Sequence, residues 1–396
     1  MSFVAFDTED DSMDLQGQDH AAYEKVCTQV AAIDARTGER FHLRPKRLVS
    51  RRRGRHAQGE WDVGPFLSWL SSRGPVRCYA HNLAYDIGNI WRDRLDELDV
   101  TLVGNRLVRA RWGEATLLDS SNIWPMPLAK VGKSVGLEKL ETDAESEEYV
   151  FRDVEIVVRA MQVADEIASE WGCDPKGTLG SMAIGIWNGP VMMGGNWQCT
   201  MPAAREAYYG GRVELFTPGA QGDDLWHVDI NSLYPSTMLR PFPADADIWC
   251  GEKSRADCDR VMRDLSKPMH GIARVDVVVP GSMLVAPLPV RREGNGEVLF
   301  PVGPVSGWWT IAEIRAALAR GCRLVRVHEA YGGPHAENYY EHFVRTFYGL
   351  RKQELDKREP DEGRVLFYKL LMNNLYGQLG MKGNVTRSIR LTEDMV

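Results

Sequence analysis

The chain has 396 residues, 44% of them hydrophobic and 26% charged, with a formal net charge of −7. These values describe a globular protein with room for two or three domains, without repeats or low-complexity tracts. No apolar run reaches membrane-spanning length, and seven singly spaced cysteines without a Cys-x-x-Cys pair exclude a zinc ribbon and point to a reducing compartment.

Phe3-Val4-Ala5-Phe6 follows Met1-Ser2 directly, so a cytoplasmic chain without a signal peptide is expected, in a bacterial or a virus-infected host cell. That segment, Val26 to Ile33 and Val76 to Ala80 read as strands. The first closes on Asp7-Thr8-Glu9, and the third leads into His81-Asn82-Leu83-Ala84-Tyr85-Asp86. Arg44 to His56 is a basic loop, either solvated or a patch that tracks phosphates. The apolar spacing at 154, 157, 158, 161, 164 and 167 predicts a helix over Val150 to Trp171, at whose start Tyr149 and Asp153 share a face. Asp174-Pro175-Lys176-Gly177 ends it, which places a domain boundary near 175.

Residues 176–224 are Gly-rich and read as a connector containing Tyr209-Gly210-Gly211. The apolar run Leu225-Trp226-His227-Val228 then predicts a strand that ends on Asp229, before a tight turn and Tyr234-Pro235. Residues 241–306 are Pro/Gly-punctuated, with a strand at 272–279. A helix over Thr310 to Arg320, stopped by Gly321, precedes a strand over Arg323 to His328. A helical hairpin closes the chain: Ala336 to Lys357, then, past Pro360 and with Asp361 as cap, a second helix to about Leu379.

Asp7, Glu9, Asp86 and Asp153 can converge, and four oxygen-ligand acids suit two divalent cations and phosphodiester hydrolysis. Asp143-Ala144-Glu145 has the same Asp-x-Glu spacing but sits in an acidic loop and is expected to be inert. The ordered set Asp-x-Glu, Asn-x-x-Tyr-Asp and Tyr-x-x-x-Asp over residues 3–165 resembles the Tyr subtype of DEDD 3′–5′ proofreading exonucleases. The resemblance implies that Asp7, Glu9, Asp86 and Asp153 ligate metals and that Tyr149 orients water. It also implies that His81, Asn82 and Tyr85 contact a single-stranded 3′ end, although a packed core histidine fits His81 equally. Asp119 to Leu137 resembles a stretch of protein-primed polymerases in which a Ser/Thr-Leu pair binds single-stranded DNA. Here Pro127-Leu128 stands in that place and leaves Leu128 as the contact. Lys139 reads as a surface lysine, with a phosphate contact as the alternative.

Residues 229–236, Asp-Ile-Asn-Ser-Leu-Tyr-Pro-Ser, resemble the first palm motif of family B DNA polymerases. By that resemblance Asp229 and the Ile230 carbonyl hold catalytic metals. The amides of Ser232 and Leu233 face the triphosphate, and Tyr234 excludes a 2′-hydroxyl. Residues 369–377, Lys-Leu-Leu-Met-Asn-Asn-Leu-Tyr-Gly, resemble the fingers motif, with Asn374 in place of the usual Ser. Lys369, Asn373 and Tyr376 share one helix face and would grip the triphosphate and nascent pair, with Arg351 as partner cation. Tyr209, Gly210 and Gly211 resemble the family's Tyr-x-Gly-Gly/Ala element, which touches template or primer backbone, and read equally as a plain Gly turn.

The expected fold is α/β (α+β). An RNase H-like exonuclease domain (1–175) and a connector (176–224) precede a first part of the palm (225–334), in which 241–306 hold a possible insertion. Helical-hairpin fingers (335–380) and the start of a truncated palm (381–396) follow. The implied function is templated nucleotide addition with 3′–5′ proofreading, using two Mg²⁺ or Mn²⁺ ions per active site. The implied partners are template-primer DNA, dNTPs and a single-stranded 3′ end. The short interval from Asp229 to Lys369 resembles the protein-primed, phage-like branch, which adds a terminal-protein primer to the partners. No Tyr-x-Asp-Thr-Asp-Ser follows Gly377. The chain then reads as a fragment, one half of a split enzyme or a decayed gene product, and its apolar surface near 377–396 is expected to mate with a C-terminal half supplied as a second polypeptide, or else to favour aggregation. A stand-alone exonuclease and a non-catalytic DNA- or partner-binding remnant are the other readings.

Overall fold

The computed structural model describes residues 2–14, 23–45, 47–48, 60–141, 146–188, 197–216, 219, 222, 225–244, 248–250, 270–380 and 386–390. Most of the basic 44–56 loop and the Asp143-Ala144-Glu145 segment lie outside the described residues. The chain forms two compact units, Met1–Asn188 with Arg345–Val396, and Gly189–Val344.

The first unit is built on a mixed sheet. Its strands are β1 (Phe3–Asp14), β2 (Tyr23–Asp34), β3 (Arg40–Leu43), β4 (Val76–Ala80), β5 (Asp99–Val103), β6 (Arg106–Trp112) and β7 (Ala115–Asp119). In space they run β5-β6-β7-β4-β1-β2-β3, and Thr386–Arg390 adds an eighth, antiparallel to β5. That last strand joins the sheet of the first unit, whereas the sequence predicts a palm beginning there. β1 is parallel to β4 and antiparallel to β2. A strand covered on both faces reads as an unbroken apolar run, and Phe3, Val4, Ala5 and Phe6 are all fully buried. Helices α1 (Gly64–Ser71), α2 (Leu83–Ile90), α3 (Leu128–Ser134), α4 (Glu147–Glu170) and α5 (Leu179–Trp187) complete this part.

α4 begins at Glu147 because the Ser146 side chain accepts the Glu148 N–H, and Glu147 and Glu148 complement the helix dipole. Its apolar face, Val150, Val154, Val157, Met161, Ala164 and Ile167, is buried and brings the helix across β1 and β2. α3 packs closely on α4 at Gly132. A Cβ built there would lie 2.3 Å from the Leu137 carbonyl and 2.8 Å from Ile156 Cδ1. Since backbone cannot yield cheaply, Gly132→Ala is expected to lower stability by about 1–3 kcal/mol in urea denaturation, the usual cost of overpacking. An unchanged midpoint would contradict this packing.

The boundary predicted near 175 falls inside the first unit, because Leu179–Trp187 is a helix rather than connector. Thr178 caps it, and it packs on the second helix of the C-terminal hairpin. That hairpin consists of Glu341–Leu355 and Glu362–Leu379. The first helix starts five residues later than the predicted Ala336, because Ala336–Glu337 pairs as a strand with Phe242–Pro243. Asp361 caps the second helix by accepting the Arg364 N–H at 3.0 Å. The second helix then docks on α4. Arg364 donates to both oxygens of Glu170 at 2.7 Å, Arg159 pairs with Asp361, and Phe367 meets Trp124 with centroids 5.2 Å apart.

The second unit holds an antiparallel sheet of β8 (Ile248–Cys250), β9 (His270–Val279), β10 (Gly303–Thr310) and β11 (Arg323–Gly333), in the order β8-β11-β9-β10. Alternation along β9 buries Ala273, Val275, Val277 and Val279 on one face with Trp309 and Val327. Helices α6 (Trp197–Glu206), α7 (Leu233–Met238) and α8 (Ile311–Ala319) belong to this unit. α8 covers the buried face through Ile311, Ile314 and Ala317, and Thr310 with Glu313 forms its capping box.

Candidate functional site

β1 ends its apolar run on Asp7 and Glu9, which face one side of the sheet because side chains alternate along a strand. α4 crosses that side and contributes Asp153. Ligand oxygens of Asp7, Glu9 and Asp153 all lie within 4.8 Å of one another. Asp86, in the first turn of α2, is fully buried, and its Oδ1 accepts the Thr8 hydroxyl at 2.8 Å. The four predicted acids thus come from β1, α2 and α4 of one unit.

Lys139 sits in this cluster. Its ammonium donates to Asp153 Oδ2 and lies 5.0 Å from the centroid of the Tyr149 ring. The surface-lysine reading is therefore corrected: the segment before α4 folds back, so that one cation stands among the acids. Burial opposes the charge on Lys139, but its interactions with Asp153 and then Tyr149 together offset that and hold the ammonium above its usual range.

The electrostatics are those of an under-neutralised acid cluster. Burial first, then the charges of Asp86, Asp153 and Glu9, hold the Asp7 carboxyl well above the usual carboxylate range. Burial and the Asp153 charge push Glu9 up to about 7. Asp86 and Asp153 are also raised by burial, against hydrogen bonds from Thr8 and Lys139 respectively. Asp86 Oδ2 and Asp153 Oδ1 are buried without a hydrogen-bond partner. Hard carboxylate oxygens, converging and short of donors, fit divalent cations of the Mg²⁺ or Mn²⁺ type.

The residues predicted to contact a single-stranded 3′ end are held in different states. Both ring nitrogens of His81 are engaged, Nδ1 with Ser120 Oγ and Nε2 with the Met126 carbonyl, each at 2.9 Å. Burial holds its pKa below the usual histidine value. This is the packed histidine of the two sequence readings, with no ring nitrogen left for a nucleotide. Asn82 takes a left-handed conformation (φ 71°), and its N–H donates to Asp119 Oδ1 at 3.0 Å. Asp119 also accepts the Ser121 N–H and so fixes the loop that presents Asn82. Sequence reasoning missed this role, although Asp-Ser-Ser after a strand is a turn signal of the Asx type. The Asn82 side chain is exposed, Tyr85 and Leu128 are half-buried, and Leu128 opens α3.

In the second unit the strand predicted over 225–228 does not form. Residues 225–230 run as exposed coil, and among the described residues no neighbouring strand offers them a ladder. Leu225, Trp226, Val228 and Ile230 are therefore bare, with Trp226 92% exposed, and Asp229 is exposed beside them. Ser232 is left-handed (φ 56°) and opens α7, which carries Leu233 and Tyr234. Tyr209-Gly210-Gly211 lies against that turn, for a Cβ on Gly211 would sit 3.4 Å from the Tyr234 hydroxyl. Arg291 stacks 4.4 Å from the Tyr209 ring and donates to the Glu206 carbonyl.

Lys369, Asn373, Tyr376 and Arg351 belong to the first unit. On the second hairpin helix Phe367, Leu371 and Leu375 are buried, while Lys369 is exposed and Asn373 and Tyr376 half-buried. Asn374, which replaces the usual Ser, donates to the Leu370 carbonyl one turn back at 2.9 Å.

Residues 201–395 match a family model described as DNA polymerase type B, organellar and viral. A "Probable DNA polymerase" of Ascobolus immersus is 28% identical over 178 residues, which are 45% of this chain and 14% of that protein. The "DNA-directed DNA polymerase" of Enterobacteria phage PRD1 is 27% identical over 195 residues, 46% of this chain and 33% of that protein. The chain thus spans a minor part of the length of these curated relatives. Phi29 DNA polymerase complexed with primer-template DNA and incoming nucleotides shares the fold, with a TM-score of 0.65 at 16% identity over 95% of this chain and 67% of that one. Its complex with single-stranded DNA gives 0.62 at 15% identity, over 96% and 68%.

Proposed function

We propose, from the match of residues 201–395 to the organellar and viral type B DNA polymerases, that the first unit is a proofreading 3′–5′ exonuclease serving a polymerase active site built around Asp229. The observation that carries the exonuclease is the convergence of Asp7, Glu9 and Asp153 around Lys139, with Asp86 buried beside them. Two divalent cations held by these acids would supply an activated water and stabilise the leaving oxygen. Tyr149, one turn before Asp153 on α4, orients the attacking water. Lys139 holds Asp153 in place and keeps a positive charge beside the scissile phosphate. Asn82, Tyr85 and Leu128 receive the unpaired 3′ end, while His81 braces the loop behind them.

For nucleotide addition, Asp229 and the Ile230 carbonyl would hold the metals, together with a second carboxylate from a Tyr-x-Asp-Thr-Asp-Ser palm segment. Ser232 and Leu233 present turn amides, and Tyr234 screens the sugar. Lys369, Asn373, Tyr376 and Arg351 take the triphosphate and the nascent pair, and Tyr209 to Gly211 the DNA backbone. The exonuclease is tested with 3′-labelled single-stranded DNA and Mg²⁺. Shortening that survives Asp153→Asn would refute it.

The raised carboxylates also set a pH dependence. A folded carboxyl above its unfolded value binds protons that the unfolded chain has released. The cluster's contribution to stability is therefore present at low pH and is lost as pH rises through the Glu9 value of about 7. A bound cation displaces those protons, so Mg²⁺ is expected to raise the melting temperature more at pH 8 than at pH 6. Equal shifts at both pH values would show that the cluster does not take the metal.

A further inference from the structure

Asp86 is held by a two-step relay. Its Oδ1 accepts the Thr8 hydroxyl at 2.8 Å, and the Thr8 oxygen accepts the Asn89 side-chain amide at 2.9 Å. Thr8 is 2% exposed and Asp86 is fully buried. A hydroxyl has one proton to give. With the Asn89 amide donating to the Thr8 oxygen, that proton is directed at Asp86 and nowhere else. The opposite amide orientation would set two acceptors against a single hydroxyl proton, so the relay has only one fully satisfied arrangement. Asn89 stands one turn after Tyr85 on α2 and also bonds its hydroxyl. The second carboxylate oxygen, Asp86 Oδ2, is buried with no partner.

We propose that Thr8 and Asn89 are positioning residues of the nuclease site: they occupy one oxygen of Asp86 and fix its rotamer, so that the other oxygen is offered to a divalent cation. This rests on the exonuclease reading above. It gives the middle residue of Asp7-Thr8-Glu9 a role of its own. The two acids face the cluster, while the threonine between them sets a third acid from another element.

The test is calorimetric titration of the full chain with Mn²⁺, with thermal melts as a control for folding. Thr8→Val keeps the shape of the side chain and removes the hydroxyl. It is expected to weaken Mn²⁺ binding by about 10-fold or more, as loss of an outer-shell partner does. Thr8→Ser keeps the hydroxyl and is expected to restore most of the affinity, which a purely packing role for the methyl group would not allow. Asn89→Ala leaves every acid and the hydroxyl in place and is expected to give an intermediate loss, which keeps the test decisive if Thr8→Val does not fold. Wild-type affinity in either Thr8→Val or Asn89→Ala, with Mn²⁺ bound by the wild-type chain, overturns the positioning role and leaves the exonuclease reading standing. A wild-type chain that binds no Mn²⁺ overturns both.

Discussion

Exchanging Asp7 and Glu9 together for Ala is expected to slow the removal of 3′ nucleotides from single-stranded DNA by about a thousandfold or more, equivalent to about 4 kcal/mol of barrier. The two acids sit on one strand and share a small volume with Asp153. Losing them removes both the oxygen donors and the charge that would draw cations there. The same exchange should not lower the melting temperature of the metal-free chain. Burial and mutual repulsion already hold Asp7 and Glu9 above the usual carboxylate range, so in the folded state these groups are a cost. Catalysis lost without stability lost is the signature of a site; both falling together would mark a structural cluster instead. Lys139→Met should behave oppositely in the metal-free chain, since it takes away the one cation that bonds Asp153 among the described residues and leaves a buried carboxylate unpaired.

What could be read in advance, and what could not, follows from the range of the forces involved. β1 and α4 are local: an unbroken apolar run, and a 3.6-residue stripe with a Ser cap, specify themselves, and they carry Asp7, Glu9, Tyr149 and Asp153 into place. Lys139 and Asp119 act through contacts set by the fold. Lys139 reaches an acid 14 residues away, and Asp119 accepts an amide 37 residues away, and neither lies in a segment whose pattern announces this. The Leu225–Val228 run failed as a strand for the opposite reason. Its composition suits a strand, but strand formation is a property of a pair, and no partner ladder is present among the described residues. The helix predicted from Ala336 lost its first turn to a two-residue pairing with Phe242–Pro243, again a non-local contact outweighing local propensity. The hairpin likewise reads as a separate element in sequence, yet Arg364 docks it on Glu170 of α4, 194 positions earlier, and Phe367 packs on Trp124 from the segment before α3.

Asp229→Ala is expected to abolish primer extension, by about a thousandfold or more, when the chain is assayed with a palm segment carrying Tyr-x-Asp-Thr-Asp-Ser, fused or added in trans. A single carboxylate cannot hold two cations for in-line attack, so extension should depend on both Asp229 and the added Asp residues. Asp7→Ala with Glu9→Ala should leave extension intact and lose only proofreading. The exposed coil makes a second, physical readout available. Leu225, Trp226, Val228 and Ile230 carry strand-forming, apolar side chains that are largely exposed. An added segment that completes the sheet would bury them and give their backbone amides a ladder. Hydrogen exchange at 225–230 should therefore slow on addition of the segment, in the wild type and in Asp229→Ala alike, while extension follows only the wild type. Protection without activity in the variant would place Asp229 in the chemistry. Full extension by the variant would remove Asp229 from it, and unchanged exchange in both would mean that the segment pairs elsewhere.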